Sequence, residues 1–177
     1  MIYYHYTNLI HAHSIMIDWE IKTSGAEKKL GIKKPSCWFS TNDKFEKGTF
    51  ATTLDKKGGK RELFTAQEMA DTIGCVRFGF PKMKSFITWA KYRHSKQQTE
   101  QVWLGMDLLA RERGADTTEW FSSFVPISLD YCKSIEVYIE GEWLQINNRE
   151  ADTKAIWDKA IGKAKTLGTT NQKSYIY

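Results

Sequence analysis

Short runs of aromatic and β-branched residues recur along this chain without a helix between each pair. That irregular spacing constrains the fold more than any other feature of the sequence. Residues 2–6, 36–41, 75–80, 118–122, 134–139 and 142–146 read as strands, being rich in Ile, Val, Tyr, Trp and Phe. Helical patterns occupy residues 9–18, 84–92, 96–113 and 150–166. A doubly wound parallel sheet needs strict alternation of strand and helix, so the pattern predicts α+β. A length of 177 residues predicts a single domain, residues 1–166, followed by a polar tail over 167–177.

Local signals sharpen this outline. Thr7 or Asn8 can cap the first helix. Leu9, Ile10, His13, Ile15, Met16 and Ile17 make a mostly helical pattern up to about Asp18. Thr65 followed three residues later by Glu68 fits a capping box. Gly114 is a stop for the helix whose apolar face is Val102, Leu104, Met106, Leu108 and Leu109. Residues 23–35, with Gly25, Gly31 and Pro35, read as a loop. So do residues 52–62, around Asp55-Lys56-Lys57-Gly58-Gly59-Lys60. Lys44 to Phe50 reads as a short helical piece.

Hydrophobic residues make up 41% of the chain, enough for a core and against wholesale disorder. Seven Trp and eight Tyr suit a site that stacks on rings as well as a core. The net charge of +5 and isoelectric point near 9.0 are compatible with an anionic cofactor or nucleic acid. The basic pairs Lys28-Lys29, Lys33-Lys34, Lys56-Lys57 and Lys60-Arg61 fall in expected loops, where solvation explains them better than a dedicated nucleic-acid face. Cys37, Cys75 and Cys132 are odd in number and widely spaced, so they suggest neither disulfides nor zinc. No signal peptide is read at the N-terminus, and no window approaches the ~20 apolar residues of a membrane span. A cytoplasmic location is expected.

Common nucleotide and nucleophile motifs are missing. There is no Gly-x-x-x-x-Gly-Lys, no Gly-x-Gly-x-x-Gly after a strand and no Gly-x-Ser-x-Gly elbow. His11 and His13 are two residues apart on a helix, a spacing that puts them on different faces and argues against a shared metal.

A different constellation stands out. The opening strand carries His5, with Tyr4, Tyr6 and Thr7 around it. About thirty residues later Cys37-Trp38-Phe39-Ser40-Thr41-Asn42 ends an aromatic strand in hydroxyl and amide groups. Thr118-Glu119-Trp120-Phe121 places a carboxylate at the start of a third strand. In this order the blocks resemble the ADP-ribosyltransferase fold. The likeness is to its His-x-Thr branch, which includes bacterial toxins that modify DNA bases and related phage and bacterial proteins. Trp19-Glu20-Ile21 follows the first helix as that branch's short extension does. The glycine expected just after it comes later here, at Gly25. The resemblance touches about two thirds of the chain and implies split β-sheets with flanking helices.

It also implies a cofactor-like substrate, NAD, and a site. His5 would hydrogen-bond a ribose hydroxyl, and Thr7 would support the adenosine side. Ser40 and Thr41 would shape the nicotinamide-ribose pocket and orient the glutamate, with Trp38 or Phe39 lining it and Phe45 or Phe50 stacking on nicotinamide. Glu119 would be the catalytic carboxylate beside an oxocarbenium-like ribose carbon. Glu136, placed by strand alternation on a solvent face, and Glu142 compete with it. Arg77, alone in an apolar strand, would either bind a phosphate or face outward. The implied activity is transfer of ADP-ribose to a protein or nucleic-acid acceptor. The same residues also accommodate NAD hydrolysis, an inactive nucleotide- or nucleic-acid-binding module of this fold, or a small basic protein whose aromatics stack on bases. Thr117 stands where arginine-directed transferases have a second glutamate, two residues before Glu119.

Overall fold

The computed structural model describes residues 1–25, 27, 33–49, 52–54, 59–95, 100–146 and 151–168. The class is α+β, and every strand pairing of described register is antiparallel. The main sheet has seven strands in the order β11 (Glu142–Gln145), β10 (Ser134–Ile139), β6 (Val76–Phe80), β1 (Tyr3–Thr7), β3 (Cys37–Ser40), β8 (Trp120–Ser123) and β7 (Ile87–Thr88). The chain falls into two compact units, residues 1–5, 15–48 and 79–133 in one and 6–14, 49–78 and 134–177 in the other.

The first unit is built around β3 (Cys37–Ser40), β7 (Ile87–Thr88) and β8 (Trp120–Ser123) with the start of β1. A two-stranded ladder joins β2 (Glu20–Ile21) to β9 (Ile127–Ser128). Helix α3 (Trp89–His94) begins at Thr88, whose side chain accepts from Lys91 N, and helix α4 (Glu100–Arg113) follows. Gly114 ends α4 at φ +66°, a left-handed conformation that a glycine adopts without steric cost. Aromatic rings fill the core of this unit. Tyr3 meets Phe121 edge-on at 4.7 Å, and Phe39 lies 4.4 Å from Phe86. Trp38, Trp89, Tyr92 and Trp120 form a second cluster, with Trp38 and Tyr92 4.6 Å apart.

In the second unit α1 (Leu9–Asp18) starts where Asn8 Oδ1 accepts from His11 N at 2.8 Å, so Asn8 rather than Thr7 is the cap. Helix α2 (Ala66–Thr72) begins as expected at Thr65, which accepts from Glu68 N. The Glu68 carboxylate closes the cap on Phe64 N at 2.9 Å. Helices α2 and α5 (Ala151–Gly168) pack on each other and on β10 (Ser134–Ile139), burying Val137, Ile139, Met69 and Ala160. β11 (Glu142–Gln145) pairs with β10 across the turn at Gly141.

Several expectations are corrected. Within the expected loop, β4 (Thr52–Leu54) pairs antiparallel with β5 (Lys60–Glu62), and Thr52 and Thr53 are β-branched residues that suit a strand. Residues 84–92 are not one helix: Ile87 and Thr88 pair with β8, and the helix starts only once Thr88 can cap it. The piece after Lys44 is a single 3₁₀ turn, Lys47–Thr49. Thr117–Glu119 is also a 3₁₀ turn, so the third block's strand begins at Trp120. The apolar residues of α4 do not face a core, since Val102, Leu104, Leu108 and Leu109 are exposed while Ala110 is buried. Gly25 and Glu27 are helical inside the expected loop over 23–35, and Leu167 and Gly168 belong to α5 rather than to the tail; residues 26 and 28–32 of that loop, the turn at 55–58, residues 96–99 and 150 of two expected helices, and the tail at 169–177 lie outside the described residues.

Candidate functional site

Strand β3 is the centre of the candidate site because β1 and β8 flank it. In register, Ser40 lies opposite Tyr4 on one side and Trp120 on the other. The pairing continues one residue past the strand, where Thr41 N donates to the Glu119 carbonyl at 3.0 Å. His5 therefore lies on β1 and Glu119 immediately before β8, the two strands that flank β3, within the first unit.

The His5 ring is half-buried and lies 5.7 Å from Phe39. Its Nδ1 sits 2.9 Å from the Trp38 carbonyl. A carbonyl only accepts, so Nδ1 carries a proton and donates it. The strand pairing that aligns β1 with β3 thus also orients the ring.

Glu119 ends the 3₁₀ turn that Asp116 caps, accepting from Thr118 N at 2.8 Å and from Thr118 Oγ1 at 2.7 Å. Its carboxylate is half-buried and takes a hydrogen bond from Asn42 Nδ2 at 3.0 Å. Asn42 is fixed in turn, because its Oδ1 accepts from Lys44 N at 3.0 Å and Phe45 N at 3.2 Å. This is an Asx turn, with the amide nitrogen left to face Glu119.

A second carboxyl lies behind. Glu46 is buried, accepting from Ser40 Oγ at 2.6 Å and from Gly48 N at 2.7 Å. Burial pushes its carboxyl above the ordinary range, and the charge of Glu119 pushes the same way. Glu46 was not singled out in the sequence. Lys44-Phe45-Glu46-Lys47 reads as an ordinary polar turn, and only Gly48, two residues on, hints at a close approach.

The remaining site residues fall in separate places. Ser40 is only 1% exposed and its hydroxyl is turned to Glu46, so Asn42 rather than Ser40 holds Glu119. Thr41 contributes its backbone N–H to the Glu119 carbonyl. Trp38 is half-buried, packs on Trp89 and Tyr92, and donates Nε1–H to Glu27 Oε1 at 2.6 Å. Phe45 is buried, and Phe50 lies outside the described residues. Thr7 and Arg77 belong to the second unit, where Thr7 is buried. Arg77 does not face outward. It is 6% exposed, bonded through Nε to Glu136 Oε2 at 2.8 Å and through Nη2 to Oε1 at 3.2 Å, and lies 4.1 Å over the Trp143 ring. Glu136 is correspondingly half-buried rather than on a solvent face. Among the described residues no His, Cys, Asp or Glu group is arranged to hold a metal, and no helix is long and apolar enough to cross a membrane. The chain matches no protein-family model, no curated protein and no solved structure.

Proposed function

We propose that the chain is an NAD-dependent ADP-ribosyltransferase, with Glu119 as its catalytic residue and His5 as a ribose-binding group. The observation that carries this reading is the adjacency of the three blocks. His5, Ser40 and Glu119 come from segments far apart in sequence, yet they lie on or beside neighbouring strands β1, β3 and β8.

The chemistry follows from what these groups can do. When the bond between nicotinamide nitrogen and ribose C1′ lengthens, the electron pair leaves with nicotinamide and C1′ becomes cationic. A carboxylate at about 4 Å in an effective dielectric near 20 stabilises that charge by roughly 4 kcal/mol. That is about three powers of ten in rate. The half-buried setting of Glu119 leaves one side of its carboxylate on Asn42 and keeps the group close to a protein-like dielectric. His5, held by its Nδ1–H bond to the Trp38 carbonyl, would contact a ribose hydroxyl and so orient the sugar. Ser40 acts behind the site through Glu46 and Asn42 rather than on the substrate. The acceptor is a protein side chain or a nucleic acid; the net charge of +5 favours an anionic partner.

The test uses the purified chain, labelled NAD and a cell extract, alongside Glu119→Gln. Transfer of label that the variant loses supports the reading. Nicotinamide release into water alone identifies an NAD glycohydrolase with the same site. Binding of NAD without turnover identifies an inactive module, and absence of both binding and turnover overturns the proposal.

A further inference from the structure

The reading above needs Glu119 held in one place, and the residue that does so is not among those its resemblance supplies. We infer that Asn42 is the positioning residue of Glu119, fixed from behind by the Ser40–Glu46 pair. This rests on the proposed function for its catalytic meaning, though the contact itself does not.

Three observations converge on Asn42. Its side chain is polar at both ends and each end has a defined partner. Oδ1 accepts from Lys44 N and Phe45 N, so the amide cannot rotate without breaking two backbone hydrogen bonds. Nδ2 therefore points at Glu119 and donates to Oε2 at 3.0 Å. The backbone of Asn42 is anchored as well, since Asn42 N donates to Ser40 Oγ at 3.1 Å. The Ser40 hydroxyl donates at 2.6 Å to Glu46, which is buried and also held by Gly48 N. A continuous chain of hydrogen bonds thus runs from a buried carboxyl through a serine and an asparagine to the half-exposed carboxylate. Thr41 N on the Glu119 carbonyl fixes the backbone at the other end. A hydrogen bond to an ionised acceptor is stronger and more directional than one between neutral groups, so this donor selects the Glu119 rotamer.

Asn42→Asp separates positioning from folding. An aspartate still accepts from Lys44 N and Phe45 N and so keeps the Asx turn, but it turns a carboxylate oxygen instead of an N–H toward Glu119. The reciprocal variant Asn42→Asp with Glu119→Gln restores a donor–acceptor pair with its direction reversed. Urea unfolding midpoints of wild type, both single variants and the double variant form a coupling cycle that needs no enzymatic activity. The expected result is that Asn42→Asp lowers the midpoint and the double variant recovers most of the loss. In NAD turnover, Asn42→Asp is expected to lower kcat by about tenfold or more with KM for NAD little changed, since only an interaction with the reacting centre is altered. Additive effects in the unfolding cycle overturn the inference, whether or not the chain turns over NAD. Wild-type turnover that Asn42→Asp leaves unchanged in kcat also overturns it. Absence of wild-type turnover with a coupled cycle leaves Asn42 as the group that places Glu119 and refutes the proposed activity instead.

Discussion

Gly48 is the position where a single methyl group should be felt most sharply near the candidate site. A Cβ built there would lie 2.4 Å from Trp120 Cζ2 and 2.9 Å from Glu46 Oε1. Ordinary contact begins near 3.4 Å, so the indole must retreat by about 1 Å. Trp120 has little room for this, being 5% exposed with its ring edge-on to Trp89 at 5.4 Å. Overpacking of this kind costs about 1–3 kcal/mol. For a chain of 177 residues that corresponds to a fall in Tm of roughly 2–12 °C at about 2–4 °C per kcal/mol. The same displacement disturbs the carboxyl of Glu46, and through Ser40 and Asn42 the placement of Glu119, so NAD turnover should fall with stability. Gly48→Ala is measured by calorimetry against Gly105→Ala and Gly162→Ala. Both of those glycines lie within helices and have nothing within 4 Å of a new Cβ. Alanine should stabilise at these two positions, by up to about 1 kcal/mol. A Gly48→Ala variant as stable as wild type would refute the claim that close approach of Trp120 and Glu46 requires glycine.

Two further consequences concern buried charge. Glu136→Gln leaves the Arg77 guanidinium without its counter-ion at a site where the side chains are 7% and 17% exposed. The expected loss is about 3–5 kcal/mol in urea unfolding; replacing both residues with Met and Leu should recover much of it, and a loss under about 1 kcal/mol for the single variant contradicts a buried pair. Glu46 makes stability fall with rising pH. Burial raises its carboxyl in the folded chain above the unfolded value, so the protonated form is favoured on folding and stability declines as pH climbs from about 4.3 toward the folded value. Glu27, raised by burial in the same direction, adds to that slope. Glu46→Gln should flatten the decline measured by urea unfolding at several pH values, and an unchanged slope contradicts the assignment.

The sequence made some of these features legible and hid others for definite reasons. The Thr65–Glu68 cap, the stop at Gly114 and the strand at 134–139 appear where local chemistry puts them, because each depends on residues close in sequence. The hairpin over 52–62 was hidden by the turn-forming centre that joins its strands. The split at 87–89 was hidden because Ile87 and Thr88 are drawn into a sheet by β8, a partner more than thirty residues away. At the site, His5 stands out in the sequence as a histidine in an aromatic strand and Glu119 as a carboxylate next to one, though the structure puts Glu119 in the turn before β8. The roles of Asn42 and Glu46 do not stand out, since both depend on where β8 lies beside β3 and on a turn whose amide direction no pattern encodes. Arg77 and Glu136 were misread for the same reason: alternation along one strand does not reveal that the neighbouring strand carries the opposite charge.

The most direct measurement of the central claim combines NAD binding by calorimetry with nicotinamide release for wild type, His5→Ala and Glu119→Gln. His5→Ala should weaken binding, and Glu119→Gln should bind NAD nearly as wild type does but release nicotinamide about a thousandfold more slowly. A wild-type chain that neither binds NAD nor releases nicotinamide, or a Glu119→Gln variant as fast as wild type, contradicts it.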